Sequence, residues 1–79
     1  MSTNWDLDTP EGMHNAVQWQ STLIEGIRDG GAWIVPRSGS IYTVHHKTKT
    51  VTVHAWCEDG PVDRVFREMG WTVQRMFNA

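Results

Sequence analysis

Between Ser40 and Trp56 the chain alternates with a period of two. Tyr42 and Val44 alternate with Ile41, Thr43 and His45, and Val51, Val53 and Ala55 alternate with Thr50, Thr52, His54 and Trp56. Two adjacent runs of β-branched and aromatic residues with this period predict a β-hairpin, turning at His46-Lys47-Thr48-Lys49. The best register pairs residues whose numbers sum to 95: Val44 against Val51, Tyr42 against Val53, Ser40 against Ala55. These side chains share one face, taken as the core face, because a slip of one residue would turn all of them outward. The half-polar set Ile41, Thr43, His45, Thr50, Thr52, His54 and Trp56 is left facing solvent.

On either side the period changes. Met13, Ala16, Val17, Gln20, Leu23, Ile24 and Ile27 recur at three- and four-residue steps, which predicts an amphipathic helix with Trp19 at the edge of its stripe. Thr9-Pro10-Glu11 supplies an N-cap, a proline where the missing N–H does no harm, and a carboxylate at the positive helix end. Gly30-Gly31 is the expected stop. Ala32-Trp33-Ile34-Val35 reads as a short strand ended by Pro36, followed by a turn at Arg37-Ser38-Gly39. After Trp56, Cys57-Glu58-Asp59-Gly60-Pro61 breaks the strand and opens a second helix with Asp59 or Gly60 near its cap. Val62, Val65, Phe66 and Met69 form its stripe, and Gly70 ends it. Trp71 to Phe77 alternates again and predicts a final strand with Trp71, Val73 and Phe77 on one side.

The order is therefore αβββαβ, an α+β fold with two helices on an antiparallel sheet of three to four strands. Residues 1–79 form one domain, with residues 1–8 expected as a loose N-terminal arm latched by Trp5 or Leu7. A chain of this size buries roughly 60% of its unfolded surface, so partner binding or a homodimer would add to its stability. Five tryptophans are many for 79 residues. Large rings fill a small core economically, and tryptophan is also enriched among binding anchors.

Cys57 is the only cysteine, which excludes an internal disulfide and fits a reducing, cytoplasmic setting. No apolar run approaches the ~20 residues of a membrane span, and the acidic, polar start MSTNWDLDTPEG does not read as a signal peptide. The net charge is −2, unevenly spread. Asp6, Asp8, Glu11, Glu25 and Asp29 outweigh Arg28 before residue 32, whereas Arg37, Lys47 and Lys49 stand unopposed from there to Trp56.

Three of the four histidines lie in the hairpin. His45 and His46 point to opposite faces; His45 and His54 share a face but stand roughly 13 Å apart in the register above. Zinc ligands lie about 2 Å from the metal, so no metal site is expected. No cofactor motif is present, and Ser38-Gly39-Ser40 with Asp59 or Asp63 specifies no nucleophile beside an oriented base, so no catalytic residue is assigned. The basic hairpin, with Arg37, Lys47 and Lys49 and the aromatics Tyr42 and Trp56, is the basis of a nucleic-acid alternative. Three fixed cations on an acidic protein are few for phosphate neutralisation.

A protein-binding role needs fewest further assumptions. Ile41, Thr43, His45, Thr52, His54 and Trp56 offer an apolar centre with a polar surround, and Asp6, Asp8 and Glu11 offer steering toward a basic partner. Short, tryptophan-rich, free of motifs and unevenly charged, the whole chain resembles the small accessory proteins of phages and mobile elements, among them anti-CRISPR and other anti-defence inhibitors. That resemblance implies a non-enzymatic inhibitor in the host cytoplasm, occupying a surface of a host protein complex, often one that binds nucleic acid.

Overall fold

A computed structural model describes residues 2–54, 56–57 and 59–76. Helix α1 spans Pro10–Glu25, and the Thr9 side chain accepts the Gly12 N–H at 3.1 Å, as the cap signal predicts. Gly12, Ala16, Gln20 and Ile24 form its buried line; Leu23 and Trp19 fall outside it and are exposed. The helix stops at Glu25, earlier than Gly30-Gly31, with Gly26 as its C-cap. Gly30 does adopt a left-handed conformation (φ +83°), but it serves the loop into the sheet, where its N–H reaches the Val44 carbonyl at 2.7 Å.

The strands are β1 (Ala32–Ile34), β2 (Ile41–His45), β3 (Thr50–His54) and β4 (Thr72–Met76), in the spatial order β1-β2-β3-β4. β2 and β3 pair Tyr42 with Val53 and Val44 with Val51, the predicted register. The Ser40–Ala55 pair, Glu58 and Phe77 lie outside the described residues or rest on them. The expected all-antiparallel sheet is corrected in one place: β4 runs parallel to β3, pairing Val51 with Val73 and Val53 with Arg75. The cause is helix α2 (Gly60–Glu68), which carries the chain back along the sheet before β4 begins, the connection that parallel neighbours require.

Both helices supply the layer that covers the core face. Tyr42, Val44, Val51, Val53 and Phe66 are fully buried, joined by Ile24, Trp33, Val35, Cys57 and Trp71. Phe66 of α2 is the hub, with ring centroids 5.4 Å from Tyr42, 5.8 Å from Trp33 and 5.9 Å from Trp71. Such aromatic pairs contribute about 0.5–1.5 kcal/mol each beyond burial. Asp59 caps α2 by accepting the Val62 N–H at 3.3 Å. One turn on, buried Asp63 accepts the Tyr42 hydroxyl at 2.5 Å and lies 4.0 Å from the Arg75 guanidinium, which also donates to the Cys57 carbonyl. A buried phenol, a buried carboxylate and an arginine thus tie β2, α2 and β4 together.

Residues 2–8 lie against the helices. Asn15 donates to the Asn4 carbonyl, and Arg64 of α2 donates to the Leu7 carbonyl and pairs with Asp8 at 2.9 Å. Gly12 is needed at this junction, since a Cβ there would fall 1.9 Å from the Asp6 carbonyl oxygen.

Candidate functional site

Strand alternation fixes which side chains share the uncovered face of the sheet. Its rows follow from the pairings: Ala32, Thr43, Thr52 and Gln74 across the middle, His45, Thr50 and Thr72 toward the hairpin turn, and Ile34, Ile41, His54 and Met76 at the other end. The middle and turn rows are mainly hydroxyls and amides. The last row is apolar, and Ile34 is 59% exposed and Met76 41%. Trp56, 70% exposed, stacks on His54 with centroids 4.6 Å apart and planes 20° from parallel. Beneath that stack His54 Nδ1 is buried without a hydrogen-bond partner among the described residues. None of these strand positions carries a carboxylate, lysine or arginine, so the face is uncharged while its histidines are neutral.

Six of the residues singled out in the sequence, Ile41, Thr43, His45, Thr52, His54 and Trp56, come together here. Ile34 and Met76 were missed. Their signal was parity: once β1 and β4 are placed as the outer strands, every second residue of each joins the face. Asp6, Asp8 and Glu11 lie elsewhere, at the N-terminal end of α1 in the helical layer, and Asp8 is already paired with Arg64.

The structure also separates the cations. Arg37 precedes β2 and Lys47 and Lys49 follow it, so a strand whose ends lie roughly 13 Å apart divides them. Lys49 extends over the Trp71 ring at 5.5 Å. At the same turn His46 is held on the helical side: its N–H donates to Asp29 at 2.8 Å and its Nε2 lies 2.6 Å from the Ile27 carbonyl. A carbonyl only accepts, so Nε2 carries a proton and the ring is fixed.

Ser38, Ser40 and Asp59 do meet. Ser38 Oγ donates to Asp59 at 2.7 Å and accepts from the Ser40 hydroxyl at 3.0 Å. The same carboxylate caps α2, so the cluster pins the β1–β2 loop to the helix start. Among the described residues no group of three or more histidine, cysteine or acidic side chains is arranged to hold a metal ion, and no helix is long and apolar enough to cross a membrane.

Known proteins add no further constraint. No family model, curated protein or solved structure matches the chain. The geometry of the uncovered face is therefore the basis for a functional reading.

Proposed function

We propose that this chain is a small protein-binding module that docks a partner protein on the uncovered sheet face. The carrying observation is the apolar end of that face, where Ile34, Trp56 and Met76 are exposed together around half-buried Ile41 and the stacked His54. Such a cluster, with an aromatic anchor and a surround of hydroxyls, has the make-up of an interface centre with a polar rim. Together with the whole-chain resemblance, this favours a phage-type, anti-CRISPR-like inhibitor that acts in the host cytoplasm by covering a surface of a host defence complex, without catalysis. The net charge of −2 and the few cations near the hairpin, Arg37, Lys47 and Lys49, disfavour direct nucleic-acid binding, which gains affinity from each phosphate neutralised.

Affinity capture from a bacterial lysate, with and without nuclease, tests this. The expected result is a stoichiometric protein complex that survives nuclease and is lost with Ile34→Glu or Trp56→Ala. Retention of the complex by both variants, or capture only of nuclease-sensitive material weakened by Lys47→Ala with Lys49→Ala, would overturn it.

A further inference from the structure

Where the end of α1 meets the hairpin turn and the start of β4, an open pocket of about 380 Å³ lies on the helical side, independent of the uncovered sheet face. Small-molecule sites begin at about 300 Å³. Its floor is apolar: Ile24 and Trp71 are buried, and Ile27 and Met69 are half-buried. Its polar groups come from two elements. α1 contributes Ser21 and Glu25, and the hairpin turn contributes His46 and Lys49.

Charge is divided between these two elements. Glu25 is the last residue of α1, at the negative end of the helix dipole, and no basic residue stands in that last turn. On the hairpin side Lys49 holds its ammonium 5.5 Å from the centre of the Trp71 ring, a contact that uses none of its three N–H donors. Among the described residues these are the one carboxylate and the one ammonium lining the pocket, and neither is ion-paired. The hairpin side is also fixed in place. His46 is held by the Ile27 carbonyl at 2.6 Å and meets Trp71 edge to face at 5.8 Å. Lys49 is the one non-glycine among the described residues with a left-handed backbone (φ +53°), at a turn position that favours glycine. That strain is kept at a residue whose ammonium stands over the pocket, a place where strained residues serve ligands.

We propose that this pocket binds a free α-amino acid with a large apolar side chain. The ligand carboxylate accepts from Lys49, the ligand ammonium donates to Glu25 and the Ser21 hydroxyl, and the side chain covers Ile24, Ile27 and Met69. A ligand with only one charge leaves either Lys49 or Glu25 unmatched. A compact space of 380 Å³ is about 9 Å across, which accommodates hydrogen bonds of about 3 Å on both sides of a headgroup whose charged atoms are about 3 Å apart. An apolar floor with a few convergent polar groups is the usual make-up of a small-molecule site.

NMR titration of the full chain with L-phenylalanine tests the proposal. The Met69 methyl, the Trp71 indole and the Lys49 amide should shift and saturate at millimolar ligand, while the indole signals of Trp5, Trp19 and Trp56 stay in place. N-acetylphenylalanine, which lacks the cation, and phenylalaninamide, which lacks the anion, should each bind at least tenfold more weakly. Glu25→Gln and Lys49→Gln change exposed side chains and should each weaken phenylalanine severalfold without altering the rest of the spectrum. In Glu25→Gln the preference over N-acetylphenylalanine should vanish, and in Lys49→Gln the preference over phenylalaninamide. Four outcomes would overturn the proposal: no shift at millimolar phenylalanine, equal binding of either blocked form by the wild type, undiminished binding by both variants, or shifts centred on Trp5 and Trp19 or on Trp56.

Discussion

One sheet presents two faces built from similar residue types, and they behave differently. On the covered face Tyr42, Val44, Val51 and Val53 are fully buried under Phe66 and Ile24. On the other, Thr43, Thr52, His45 and His54 remain half exposed, and Ile34, Met76 and Trp56 stand open. The covered face buries both its apolar groups and a satisfied polar network, so it accounts for the stability of a chain with little core to spare. The uncovered face keeps an exposed apolar row, and on the proposed reading the asymmetry separates stability from binding.

Substitutions can break or sharpen that separation. The largest effect is expected at the hub of the covered face: Phe66→Ala should cost about 3–5 kcal/mol in denaturant unfolding, by lost burial plus the cavity left among Tyr42, Trp33 and Trp71. Asp63→Ala comes next. It removes the acceptor of a buried phenol and the carboxylate beside Arg75, and should cost about 1–3 kcal/mol.

The same network makes stability depend on pH. Burial first, then the hydrogen bond to Asp63 and the charges of Asp63 and Asp59, push the Tyr42 phenol well above its ordinary range, with Arg75 opposing. Folding therefore favours the protonated phenol. Its contribution is fully present below the unfolded value of about 10 and is lost as pH rises beyond it, because the unfolded chain ionises first. The urea midpoint should fall more steeply between pH 9 and pH 11 in the wild type than in Tyr42→Phe. The smallest effect is expected on the uncovered face, where Trp56→Ala and Ile34→Ser should each change stability by no more than about 0.5 kcal/mol. A loss as large as that of Asp63→Ala would show that this face is structural and dissolve the contrast.

Much of this contrast was legible in the sequence. The alternation of residues 41–54 determined the hairpin register and which of its residues faced inward, because a one-residue slip would have exposed every valine. Thr9, Pro10 and Asp59 marked the starts of both helices through cap chemistry local to a few residues. The parallel direction of β4 was available in principle, since a helix between neighbouring strands returns the chain to the same end. The end of α1 was not marked by its glycine pair, because Gly30 serves a left-handed position in the loop (φ +83°) and Gly31 a close approach to Ile27 and Arg28 rather than the helix stop. The pairing of Tyr42 with Asp63 and the meeting of Trp5 with Trp19 join residues far apart in the chain, and no local pattern encodes them. In the sequence Asp63 stood out only as a carboxylate without an oriented base, not as a partner of Tyr42.

The central claim is that the apolar end of the uncovered face is what a partner covers. Covalent footprinting of the chain, free and in the complex recovered by affinity capture, measures this at the side chains concerned. Labelling of Trp56 and Met76 should fall severalfold in the complex, while buried Trp33 and Trp71 remain unlabelled in both states. Equal labelling of Trp56 and Met76 in the free and bound chain would contradict the account.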